Sequence, residues 1–204
     1  MSRKVLMLAA VLMVAACGGT DQTANNPSPS PASSPTPSAS AAGTPAALDP
    51  CQLVTQSEAS QLAGGTKFAA GKEETTSGGA KLCNYGGQTT DVFLVEVAVA
   101  PDAATAQADW AQEKAKAEAG LKQIAAESGA NVNITAGEVS ISGADKAATA
   151  TGGGAIAGHT LAITAIYLLK GPVFVTFSDL VRDKPAPTTV AMLTQAQTVL
   201  TRIP

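Results

Sequence analysis

Few side chains in this 204-residue chain can do covalent or metal chemistry: one His, three Cys, and acids scattered beside hydroxyls. His159, in Gly158-His159-Thr160, has the imidazole a general base requires. It stands alone at the start of an apolar alternation, which makes it a structural or exposed residue in the simpler reading. Ser178 and Asp179 are neighbours, but a triad needs a His brought to them in space, and no G-x-S-x-G turn presents a serine. Gly152-Gly153-Gly154 lacks the Lys-Ser/Thr of a phosphate loop and precedes a strand pattern, so it reads as a hairpin turn. Glu73-Glu74 are adjacent acids without the spaced oxygens that hold calcium. Asn133-Ile134-Thr135 has the glycosylation-acceptor form, an accidental match in this setting. One His and three Cys leave no ligand to spare for a zinc site of the usual four. A net charge of -3 and 3% aromatics lack both the basic face and the stacking platforms of a nucleic-acid binder. The expectation is a protein with no catalytic residues, no metal, no cofactor and no nucleic-acid partner.

The remaining chemistry is that of the cysteines, and the first concerns an address. Arg3 and Lys4 precede a twelve-residue apolar run, Val5 to Ala16. As a helix it would reach about 18 Å, well short of a hydrocarbon core of about 30 Å, and it fits the apolar part of a signal peptide over 1–16. Val14-Ala15-Ala16-Cys17 resembles the bacterial lipobox, which implies that the Cys17 thiol is acylated and becomes the mature amino terminus. The lipid must then supply the attachment, because the leader removes two basic residues and no acid, and no basic membrane-binding surface remains.

Residues 17–47 follow as a linker. From Gly18 to Ala47 there is no Leu, Ile, Val or aromatic residue, so nothing offsets the entropy of ordering the segment. Its Pro/Ser/Thr mixture favours extended spacers and is a plausible acceptor for O-linked sugars.

Hydrophobic patterning begins at Leu48 and runs to the end, one domain over 48–204 of near-modal size. Thr55-Gln56-Ser57-Glu58 has the capping-box form and opens a helix over about 56–63, closed by Gly64-Gly65. Strands are expected at 66–70 and 81–85, with a polar loop between them, and at 91–100, where Phe93, Val95, Val97 and Val99 alternate. Asp102 is the expected cap of a long Ala-rich helix over 103–127. Val132, Ile134, Val139 and Ile141 fall in a connecting stretch. Further strands are expected at 146–151, 157–169 and from Val173, and a last helix over 188–202. The order α-β-β-β-α-β-β-β-α reads as α+β, with a mainly antiparallel sheet, helices on one face, and an internal duplication.

Cys51 and Cys83 then form an even pair in an exported domain, where disulfides persist. No C-x-x-C is present, and nothing nearby lowers a thiol pKa, so a structural bridge is expected over a redox pair.

Asp49-Pro50-Cys51-Gln52-Leu53-Val54-Thr55, with Glu58, Leu62 and Gly64, resembles the opening of small actinobacterial lipoproteins catalogued as domain of unknown function 3558. Cys83-Asn84-Tyr85, with its aromatic after the second Cys, and Gly143-Ala144-Asp145-Lys146-Ala147 add to the likeness. The resemblance implies a lipid-anchored α+β domain with one disulfide, outside the cytoplasm, and no particular activity. The expected role is a non-catalytic module on the extracytoplasmic face of the cell membrane, meeting cell-wall or envelope components. The alternative is a carrier or sensor for a small apolar ligand held between sheet and helices, where Ala and Gly in the helices leave room. A hydrolase with a loop-built site around His159 ranks last.

Overall fold

Local signals place the first elements. Asp49 accepts from the amide of Cys51, and Pro50 opens a short helix α1 (Pro50–Leu53). The Thr55–Glu58 capping box is formed in full, each side chain meeting the other's backbone amide, and α2 runs over Gln56–Leu62. The computed structural model describes residues 48–204 apart from 87–90, 128, 130 and 157. The leader, Cys17 and the linker to residue 47 lie outside the described residues. The described residues belong to one compact unit, and the buried side chains and the disulfide described below all lie within it.

Three strands follow: β1 (Lys72–Thr75), β2 (Lys81–Gly86) and β3 (Val92–Val99). The helix α3 (Ala103–Glu127) begins where expected, with Asp102 accepting from the amide of Thr105 at 2.8 Å. Then come β4 (Asn131–Val139), β5 (Lys146–Ile156), β6 (His159–Lys170), β7 (Val173–Arg182) and α4 (Thr189–Arg202). Thr188 caps the start of α4, and Lys170 Nζ reaches two carbonyls at its end, Leu200 at 3.2 Å and Ile203 at 2.6 Å. The strands make one seven-stranded antiparallel sheet in the order β1-β2-β3-β7-β6-β5-β4. Two meanders, each ending in a helix, meet along β3 and β7, an arrangement consistent with an internal repeat.

The α+β class and the antiparallel sheet hold, but the helices do not share one face. Phe93, Val95, Val175 and Phe177 pack with Ile166 and Leu168 under α1, α2 and α4. Leu161, Ile163, Tyr167 and Leu169 pack on the opposite face with Trp110, Leu121 and Ala125 of α3. The reason is visible in β6 and β7, whose residues are buried almost without interruption. Strands apolar at both parities need cover on both sides.

Three other expectations change. Residues 66–70 form no strand: Phe68 plugs the core from a loop, and the strand lies at β1, whose four residues are all exposed. Edge pairing to β2 needs only backbone groups, so a polar sequence suffices there. The connecting stretch at 131–139 is the full edge strand β4. The three glycines at 152–154 are no turn but lie inside β5, paired with β4 and β6. A Cβ on Gly152 would stand 2.6 Å from the carbonyl oxygen of Asn133, so β4 can lie this close only against glycine. Gly152→Ala should therefore destabilise the domain by about 1–3 kcal/mol in urea unfolding. Gly137→Ala on β4, where nothing lies within 4 Å of the added atom, should be near neutral. Equal effects of the two would dismiss this account.

A groove between the long helix and the open half of the sheet

The position of α3 creates a recess. Its Trp110 ring stacks on Phe174 of β7, with centroids 6.4 Å apart and planes within 10°. Trp110 Nε1 donates to Glu138 of β4 at 3.2 Å, and Lys114 Nζ meets the same carboxylate at 2.8 Å. These contacts hold the helix toward β4, and it packs on β4, β6 and β7. The same face of β2 and β3, carrying Leu82, Leu94, Glu96 and Ala98, stays half-buried beside it. A cavity of about 640 Å³ opens between them, with Ala117, Gly120 and Ile124 on its helix wall and the β1–β2 turn at one end. Small residues on the helix leave the space unfilled.

The sheet register orders the floor into rows. Ala98, Phe174 and Leu169 lie side by side on β3, β7 and β6, as do Leu94, Ser178 and Ala165. Between them runs a polar row: Glu96, Thr176 and Tyr167. Glu96 has no hydrogen-bond or ion-pair partner among the described residues. Burial, reinforced by the charge of Glu113, holds its carboxyl above the usual range. Tyr167 is 2% exposed, and its hydroxyl has no partner among the described residues. Burial first, and then the charge of Glu118, raise its pKa. A buried hydroxyl without a partner costs free energy unless a ligand or water meets it.

Of the residues singled out in the sequence, Ser178 lies on the groove floor beside Leu94, and the others lie elsewhere. Cys51 and Cys83 are bonded, with Cα atoms 5.2 Å apart, stapling α1 to β2. Cys17 is outside the described residues. His159 is exposed, its Nδ1 2.6 Å from Asp183 Oδ2, while the nearby Thr160 hydroxyl turns to the carboxylate and not to the imidazole. A His–Asp pair without a hydroxyl on the imidazole is two parts of a three-part machine. Ser178 and Asp179 point to opposite faces of β7, as strand neighbours must. Glu73 and Glu74 form ion pairs with Lys81 and Lys72. Among the described residues no group of three or more His, Cys, Asp or Glu is placed to hold a metal.

Sequence reasoning missed Leu94, Glu96 and Thr176, because the odd, more apolar parity of β3 and β7 drew attention to the other face. The available signal was Glu96 itself, a charge inside an otherwise apolar strand. Tyr167 is a buried core residue that also lines the recess. A second polar centre lies at one end of the sheet, where Lys184 Nζ meets Asp91 at 2.7 Å and Thr66 at 2.9 Å. Burial would raise the Asp91 carboxyl, but Lys184, the amide of Arg182 and Thr66 together hold it below the usual range.

A family model described as a protein of unknown function (DUF3558) matches residues 12–158. The match spans both bonded cysteines, α3 and Glu96, and ends before β6. No curated protein and no solved structure matches the chain.

Proposed function

The chain belongs to the DUF3558 family of proteins of unknown function, and from there we propose a lipid-anchored, non-catalytic binding domain that takes a small amphiphile into the groove beside α3. The groove carries this reading. A volume of about 640 Å³ is within the range of small-molecule sites, and apolar walls with a few polar groups are their usual lining. The anchor rests on the apolar run ending in Cys17, and the Pro/Ser/Thr-rich stretch after it serves as a spacer. The Cys51–Cys83 bond supports an oxidising compartment, and so a domain on the extracytoplasmic face of the membrane. The domain binds without turning over its ligand: His159 is apart from the groove and meets one carboxylate.

Two measurements test this. The unlipidated mature chain should bind the neutral fluorophore N-phenyl-1-naphthylamine, and Ala117→Trp, which puts an indole into the groove, should weaken binding about ten-fold or more. Absence of binding, or indifference to the tryptophan, would remove the ligand-binding role. Separately, Cys17→Ser should leave the leader uncleaved and the chain free of acyl chains by mass spectrometry. Processing at the same bond in the variant would remove the anchor.

A further inference from the structure

The groove floor carries one more step, which rests on the binding role above and specifies its ligand. Most ionisable groups around the recess are matched. Lys114 is committed to Glu138, and Lys116 to Glu113 one turn along the helix. The two charges left without an ion-pair partner among the described residues, Glu96 and Asp109, are both negative. Glu96 also sits at one end of a row that ends, two strands away, in the unpartnered hydroxyl of Tyr167. At the spacing of neighbouring strands that row is roughly 10 Å long. It is a polar stripe across an apolar floor, with a carboxyl group at one end and a buried hydroxyl at the other.

We propose that the groove recognises a cationic amphiphile, its ammonium group held by Glu96, its neighbouring polar atoms meeting Thr176 and the Tyr167 hydroxyl, and its chain lying along Leu82, Leu94 and Ile124. A cation is favoured over the other amphiphile classes on charge. A carboxylate or phosphate head would meet Glu96, Asp109 and Glu113 with like charge. A neutral polyol head would satisfy the hydroxyls yet leave Glu96 half-buried and uncompensated. An ammonium group supplies both the opposite charge and several N–H donors, and charge-assisted hydrogen bonds are about twice as strong as neutral ones.

The test is displacement of bound N-phenyl-1-naphthylamine from the unlipidated mature chain at pH 8. The competitors are decylammonium, decanoate and decyl maltoside, each kept below its micellar concentration. Decylammonium should displace the fluorophore at about ten-fold lower concentration than either of the others, the loss expected when one charge-assisted contact is missing. Glu96→Gln should bring the three within about three-fold of one another, while Glu96→Asp keeps the preference and Tyr167→Phe weakens decylammonium about three-fold. Fluorophore binding by each variant shows that the groove is still formed. Equal potency of the three competitors, a preference for the maltoside or the carboxylate, or a preference that survives Glu96→Gln would each overturn the cationic ligand. If the fluorophore binds and Ala117→Trp excludes it, such a result removes the ligand class alone; if the fluorophore does not bind at all, the binding role falls with it.

Discussion

Asp179→Asn should stabilise the domain at pH 8 and do almost nothing at pH 4. Asp179 is fully buried on β7, between Phe93 of β3 and Thr164 of β6 in the register, and neither carboxyl oxygen has a hydrogen-bond partner among the described residues. Burial first, and then the negative charge of Asp91, push its pKa up to about 7, with Lys184 partly opposing. In the unfolded chain the same group titrates near ~3.9. Between these values the folded state holds a proton that the unfolded state releases. The stability is therefore fully present below about pH 4 and is lost as pH rises through about 7. Three units at 1.36 kcal/mol each set a ceiling of about 4 kcal/mol. Asparagine cannot ionise, so it escapes this loss, although its amide is buried in the same unpartnered site. The net gain expected at pH 8 is about 1–3 kcal/mol. Urea unfolding of both proteins at pH 4, 6 and 8 measures it. A difference that does not grow with pH would mean that Asp179 is not the group that titrates.

Reduction of the Cys51–Cys83 bond should cost about 3–4 kcal/mol of unfolding free energy, from the chain entropy of a loop closed over 32 residues. The bond joins α1 to β2, and its surroundings show how tightly that junction is filled. The Tyr85 hydroxyl lies within hydrogen-bond reach of the carbonyls of Cys51 at 2.9 Å and Val54 at 2.5 Å, and its one proton serves both. Burial, followed by the charges of Asp49 and Glu58, pushes its pKa up to about 12, so it stays a donor throughout the ordinary range. Gly71 passes so close that a Cβ there would stand 2.5 Å from Cys83 Sγ. From the other side Arg202 of α4 reaches the carbonyl of Leu53 at 2.7 Å and pairs with Glu58 through both nitrogens. Chief among the effects on Glu58, that guanidinium holds its pKa at about 2, against the cost of burial. With the bond reduced, Tyr85 and Arg202 still connect α1 and α2 to the sheet, so the domain should remain folded but unfold at lower denaturant. The comparison is guanidinium unfolding with and without dithiothreitol, alongside a Cys51→Ala/Cys83→Ala double variant. An unchanged midpoint would show that the bridge adds nothing to stability.

Several elements were legible without any coordinates because their signals are local. The capping box at Thr55–Glu58, the Asp102 cap and the proline-preceded last helix all depend on residues within one turn of each other. The strand at β3 announced itself by apolar alternation, and β2, β6 and β7 lie close to where strands were expected. The cysteine pair followed from number and compartment, not from distance. Where reading failed, the deciding contacts were remote. β1 is polar because an edge strand needs only a neighbour's backbone. Three glycines look like a turn until β4, itself hidden by weak alternation, is laid across them.

By itself the sequence determined the α+β class, the bridge between Cys51 and Cys83, and the approximate bounds of α2, α3 and α4, since these follow from short-range pattern and composition. It also set the expectation of a lipid anchor at Cys17. Tertiary structure alone decided that helices cover both faces of the sheet, that α3 stops short of β2 and β3, and that Glu96, Thr176 and Tyr167 form one row. Glu96 and Tyr167 stand 71 positions apart in the chain, and Thr176 lies nine positions further on. Only hydrogen-bond register across strands, a property of the assembled sheet, brings such distant residues onto one line.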